Sequence, residues 1–86
     1  MTHEELLVQL EELAERLNIR IRTESPKKED PSAFGGFCRV NDQYRVIVHS
    51  RASTGRKIEI LTDAVRHFDL DDIYMRPALR EYLKQQ

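Results

Sequence analysis

The chain holds a single cysteine, Cys38, in 86 residues. That excludes an internal disulfide and any zinc knuckle built from several thiolates. Histidine is nearly as scarce: His3, His49 and His67 lie too far apart in sequence for ligand spacing to assign a metal. No apolar run exceeds three residues, as in Val46-Ile47-Val48, so no stretch can cross a bilayer as a helix. The N-terminus carries acids where a secretory leader needs Lys or Arg ahead of an apolar segment. These absences point to a cytoplasmic protein without a membrane partner. Net charge is only −1, which gives no global attraction to nucleic acid. Gly35-Gly36 is no phosphate loop, because it leads into a strand-like run, whereas such loops run from a strand into a helix. The chain has no internal repeat and no low-complexity tract.

Apolar residues make up 40% of the chain and charged residues 34%, a globular composition with a highly charged surface. The length fits one domain, residues 1–86, with a small core. Charge is unevenly spread. Residues 1–34 carry five Lys/Arg against eight Asp/Glu, and residues 35–86 carry nine against seven. The plain meaning of such a mild asymmetry is a solvated face.

Local patterns give the order of elements. Thr2-His3-Glu4-Glu5 is a capping box. Leu6, Leu10, Leu13 and Leu17 follow at helical spacing, widened by Leu7 and Ala14, and Asn18 is a left-handed stop. Ile19-Arg20-Ile21-Arg22-Thr23 alternates at period two, a half-buried strand with both arginines facing solvent. A polar, Pro-bounded stretch over about 25–33 reads as a mobile loop. Gly35 to His49 then forms the centre of the chain, two β-prone runs flanking Asn41-Asp42.

Two registers compete in that hairpin. A two-residue turn suits Asn41-Asp42, since both tolerate positive φ. A three-residue loop through Gln43 instead puts Cys38, Val40, Tyr44, Val46 and Val48 on one face and sets Arg39 opposite Arg45. The apolar pattern favours the longer loop. Ser53 then caps a helix carrying Ile58, Leu61, Ala64, Val65 and Phe68, and Pro77 opens a last helix edged by Leu79, Tyr82 and Leu83. The expected fold is α+β, order α-β-β-β-α-α, a three-stranded mostly antiparallel sheet with helices packed on one side.

Three candidate chemistries emerge, each beside a plainer reading. Asp63 and His67, four residues apart, share a helical face and could supply two metal ligands, or form an ordinary surface pair. Cys38 lies beside Arg39, and a cation favours the thiolate; a lone cysteine on an apolar strand face is more simply core packing. Arg39, Arg45, Arg51, Arg56, Lys57 and Arg66 could bind an anion. The short basic loop from Arg51 to Lys57 enters a helix N-terminus, which favours phosphate, and Phe37 and Tyr44 could offer stacking surface for bases. Against nucleic acid stand a pI near 6.3 and the lack of a basic stripe on any helix. If Arg39 faces Arg45, either a carboxylate sits between them, with Glu24 and Glu59 as candidates, or an external anion does.

Two resemblances follow from particular motifs. Arg45 to Phe68 resembles the strand, short loop and His-Glu-x-x-His helix of ImmA/IrrE-type zincin metallopeptidases. By that resemblance His67 matches the second zinc histidine, Asp63 stands at the first and Ala64 stands at the glutamate base. The resemblance thus implies a zincin remnant without peptidase activity, since no side chain is left to activate a zinc-bound water. Gly35-Gly36-Phe37-Cys38-Arg39-Val40, together with Asp69-Leu70-Asp71-Asp72-Ile73-Tyr74 and Pro77-Ala78-Leu79-Arg80-Glu81-Tyr82-Leu83, resembles a family of short bacterial proteins of unknown function, which implies no activity.

The expectation is a non-catalytic interaction module with no catalytic residues, no cofactor and no metal. It would bind another protein or self-associate through a sheet edge or the C-terminal helix. The alternative is nucleic-acid or other anion binding through Arg39, Arg45, Arg51, Arg56 and Lys57, and a metal-binding zincin remnant is third.

Overall fold

The computed structural model describes residues 1–24 and 36–85. Helix α1 spans His3–Arg16, strand β1 Arg20–Glu24, β2 Gly36–Val40, β3 Gln43–His49, helix α2 Thr54–Val65 and α3 Pro77–Gln85. The α+β class and the order α-β-β-β-α-α are those expected. The stretch expected to be mobile, about 25–33, lies outside the described residues.

The helix ends follow local chemistry. The Glu5 N–H donates to the Thr2 hydroxyl at 3.1 Å, satisfying one of the orphan donors of the first turn. At the other end Asn18 adopts a φ of 63°, which turns the chain so that the Ile19 N–H reaches the Ala14 carbonyl at 2.9 Å. Ser53 caps α2 in the same way, accepting from the Arg56 N–H at 3.1 Å.

The sheet runs in the order β1-β3-β2, with β2 antiparallel to β3 and β1 parallel to it. The sheet is therefore mixed, and β3 is its centre. The hairpin register corrects the three-residue loop favoured by the apolar pattern. Val40 pairs with Gln43, Arg39 with Tyr44, Cys38 with Arg45 and Phe37 with Val46, so the turn is Asn41-Asp42 alone. Their φ values of 51° and 64° are those of a turn that matches strand twist. Turn chemistry decided the register, and it moved every β2 side chain to the face opposite from the one expected.

Phe37, Tyr44, Val46, Val48 and Ile21 thus share the inner face, and all belong to or pack on the apolar core. All three helices contribute to that core, through Leu6, Leu10, Leu13 and Ala14 of α1, Ile58, Leu61 and Val65 of α2, and Leu79 of α3. The α1 stripe packs chiefly against α2 and only secondarily against β1. Helix α2 meets β2 and β3 on one side and α1 on another, which explains why Ile60 and Thr62 are buried beyond the stripe read from the sequence. Thr62 is 5% exposed, and its hydroxyl meets the Tyr82 hydroxyl at 3.1 Å.

Candidate functional site

Strand alternation sends every second residue of the sheet away from the helices. On this outer face the register sets Arg20, Arg45 and Cys38 side by side across the three strands. The next row is Arg22, Ile47 and Gly36, followed by Glu24 and His49. At the hairpin end Val40 faces Gln43. Three arginines therefore stand on one small surface with Ile47, Cys38 and Val40 among them.

Arg45 is the centre of this surface. Its strand has a neighbour on each side at a spacing of about 4.8 Å. Half-burial there leaves the Arg45 Nε out of contact with solvent, and it bonds to no described residue. Arg20 stands directly beside it, a like charge that weakens the pairing of the strands. Arg22 has a distant partner, Glu24 at 3.9 Å, with both side chains at least half exposed. An ion pair so long and wet contributes little. Neither Arg20 nor Arg45 has an ion pair to a described residue.

The five cations expected to form one anion surface are not brought together. Arg39 lies on the inner side at the hairpin end, opposite Tyr44 rather than Arg45. Its guanidinium donates to the Asp42 carboxylate at 2.6 Å and lies 5.5 Å from the centre of the Tyr44 ring. A carboxylate does neutralise Arg39, but it is Asp42, not Glu24 or Glu59. Arg51 and Arg56 lie beyond the far end of β3, roughly 20 Å from Arg39 by strand rise alone. The Arg51 N–H donates to His49 Nδ1 at 2.9 Å, and Arg56 donates to Glu59 at 3.0 Å. Lys57 is half-buried. Of the five, only Arg45 belongs to the outer face, and the structure joins it to Arg20 and Arg22. Their alternation with Ile19 and Ile21 was the available signal. Its link to Arg45 depends on a parallel pairing that no local pattern announces.

Phe37 and Tyr44 are not open stacking platforms. Their rings lie 5.4 Å apart, Phe37 stacks on His67 at 4.7 Å, and Tyr44 meets Phe68 edge-on at 4.9 Å. Cys38 is half-buried on the outer face, not in the core. His49 shares that face but lies four residues along β3 from Arg45, the residue opposite Cys38, roughly 13 Å by strand rise. That is beyond hydrogen-bond reach for a base. Asp63 is exposed on α2, whereas His67 lies past the end of that helix, its ring against Phe37. Among the described residues no three His, Cys, Asp or Glu side chains converge as a metal site would require. No described helix is long and apolar enough to cross a membrane.

No family model matches the chain, and no curated protein or solved structure does either.

Proposed function

We propose that the protein is a small, non-catalytic, cytoplasmic interaction module that presents the outer face of its sheet to an acidic protein partner. The observation that carries this reading is Arg45, central on that face, with a desolvated Nε that no described residue satisfies and with Arg20 directly beside it. A carboxylate brought by a partner meets the accessible part of the half-buried Arg45 guanidinium and offsets its repulsion with Arg20. Guanidinium groups on adjacent strands also suit planar, two-pronged recognition of carboxylates.

A protein partner fits better than nucleic acid. Ile47, Cys38 and Val40 lie among the cations and offer apolar contact that a phosphate backbone does not use. Symmetric self-association through this face is disfavoured, because a face-to-face pair would set arginines against arginines.

The test is a titration with a labelled acidic peptide rich in glutamate and with a labelled single-stranded oligonucleotide, each at low and moderate salt. The acidic peptide should bind and weaken with salt as charges are screened. Arg20→Gln with Arg45→Gln should reduce its affinity roughly tenfold or more, the scale of a lost charged hydrogen bond. No binding of the peptide at low salt, or binding indifferent to the double substitution, overturns the reading. Tighter binding of the oligonucleotide would transfer the site to nucleic acid.

A further inference from the structure

Helix α1 carries a second charged surface, opposite in sign to the sheet face. Glu4, Val8, Glu11 and Glu15 recur at spacings of four, three and four, so they form one stripe, and all four are exposed. Leu6, Leu10, Leu13 and Ala14 take the other side of the helix into the core. Val8, 52% exposed, is the apolar member of the stripe. Arg76 shares a hollow with Glu4, Glu5, Val8 and Glu12, so the first half of the stripe has a cation beside it. Glu11 and Glu15 line neither that hollow nor the cavity where Arg16 faces Tyr74 and Arg76. They are the clear negative end of the stripe.

Two further observations single out these glutamates. No ion pair joins Glu11 or Glu15 to a described residue. Glu15 also stands in the last turn of α1, where the negative end of the helix dipole disfavours an acid. The outer face of the sheet has the complementary excess. Arg20 lies beside Arg45, Arg22 is two residues along, and Ile47 and the exposed Val40 lie among them. The dimensions agree. Glu11 and Glu15 are about 6 Å apart along the helix, Arg20 and Arg22 about 6.6 Å apart along their strand, and Arg20 and Arg45 about 4.8 Å apart across strands. The strands themselves separate this face from the helices, so a chain cannot lay its own α1 on its own outer face.

We propose that the acidic partner of the sheet face is a second copy of this chain, which lays the Glu11 and Glu15 end of its α1 stripe across the arginines. The inference rests on the reading of that face as a site for an acidic protein. The two carboxylates would meet the guanidinium groups of Arg20, Arg22 and Arg45 in charge-assisted hydrogen bonds. Val8, one turn before Glu11, would lie against Ile47. Glu24, in the last row of the face beside His49, repels the acids and keeps them toward the Arg20 and Arg45 row. A face-to-face pair sets like charges together, but here each copy gives a different surface. Such a head-to-tail contact leaves one surface of each type open at the ends, so it propagates into a ring or a filament. One helix on a three-stranded face is a small interface, so the association is weak and reversible.

The experiment is sedimentation of the whole protein from micromolar to millimolar concentration, at low and at moderate salt. The mean mass should rise with concentration at low salt and fall back toward the monomer as salt screens the charges. Glu11→Gln with Glu15→Gln, and separately Arg20→Gln with Arg45→Gln, should each weaken self-association roughly tenfold or more. Glu11, Glu15 and Arg20 are exposed, so both variants should keep the circular dichroism of the parent. Mixed in equal amounts, the two variants should form a pair of one copy each that grows no further, because each retains one intact surface. A parent that stays monomeric at millimolar concentration and low salt overturns the inference, and so does a mixture of variants that stays unpaired. Self-association that survives either double substitution assigns the contact to other residues and overturns it too. A monomeric parent that binds the glutamate-rich peptide, and loses it on Arg20→Gln with Arg45→Gln, would keep the acidic-partner reading and overturn only the second copy as that partner.

Discussion

Leu10 and Val8 lie two positions apart on α1 with opposite surroundings. Leu10 is fully enclosed at 0% exposure, while Val8 is 52% exposed. Removing buried methylenes costs transfer free energy plus the cavity left behind. Leu10→Ala should therefore lower stability by about 2–5 kcal/mol, and Val8→Ala should stay within about 0.5 kcal/mol of the parent. Urea midpoints for the two variants check this. Equal midpoints would mean that α1 does not anchor the core. Thr62 shows the other demand of a small interior, since its hydroxyl is tolerated there only because Tyr82 bonds to it.

At the scale of elements, the hairpin turn decides where everything on β2 points. Asn41 and Asp42 both hold left-handed backbone, which costs a β-branched residue about 1–2 kcal/mol and glycine nothing. Asp42→Val should thus destabilise by about that amount. Asp42→Gly should remain near the parent, because the exposed Arg39–Asp42 pair it removes contributes at most about 1 kcal/mol. Denaturation of both variants tests the turn, and a glycine variant as damaged as the valine one would assign the role to the ion pair instead. Helix ends and stripes were legible in the sequence because a cap, or a repeat such as Leu6-Leu10-Leu13, acts within a few residues. The hairpin was legible in part: the turn residues named the right register, and the apolar alternation argued for the wrong one. The pattern misled because Val46 finds its inward partners in Phe37 and Ile21, while Tyr44 pairs with Arg39 and Val48 with Thr23, none of them with Cys38 or Val40. The row of Arg20, Arg45 and Cys38 was not legible at all. It arises from a parallel pairing between strands far apart in sequence, which side-chain periodicity does not encode.

For the molecule as a whole, the helices gather on one side of the sheet and leave the other to charge. A protein of this size has a small core and little stability to spare. Holding Arg45 beside Arg20 in the middle of its sheet, with the Arg45 Nε dry, runs against folding in isolation. Such local costs persist where function requires them, and relieving them stabilises the chain while removing the activity. Arg45→Met keeps the length of the stem, removes the like charge and leaves no unsatisfied donor. It should raise the denaturation midpoint, by about 1 kcal/mol in stability, while abolishing most binding of the acidic peptide. Arg20→Met, at an exposed edge position, should relieve only the repulsion and change stability by less. The paired measurement separates two origins of the arginine row. If Arg45→Met instead loses stability, an acceptor within the chain already satisfies the guanidinium, and the outer face has no unmet demand for a partner's carboxylate. A gain in stability with a loss of binding assigns the cost of Arg45 to recognition.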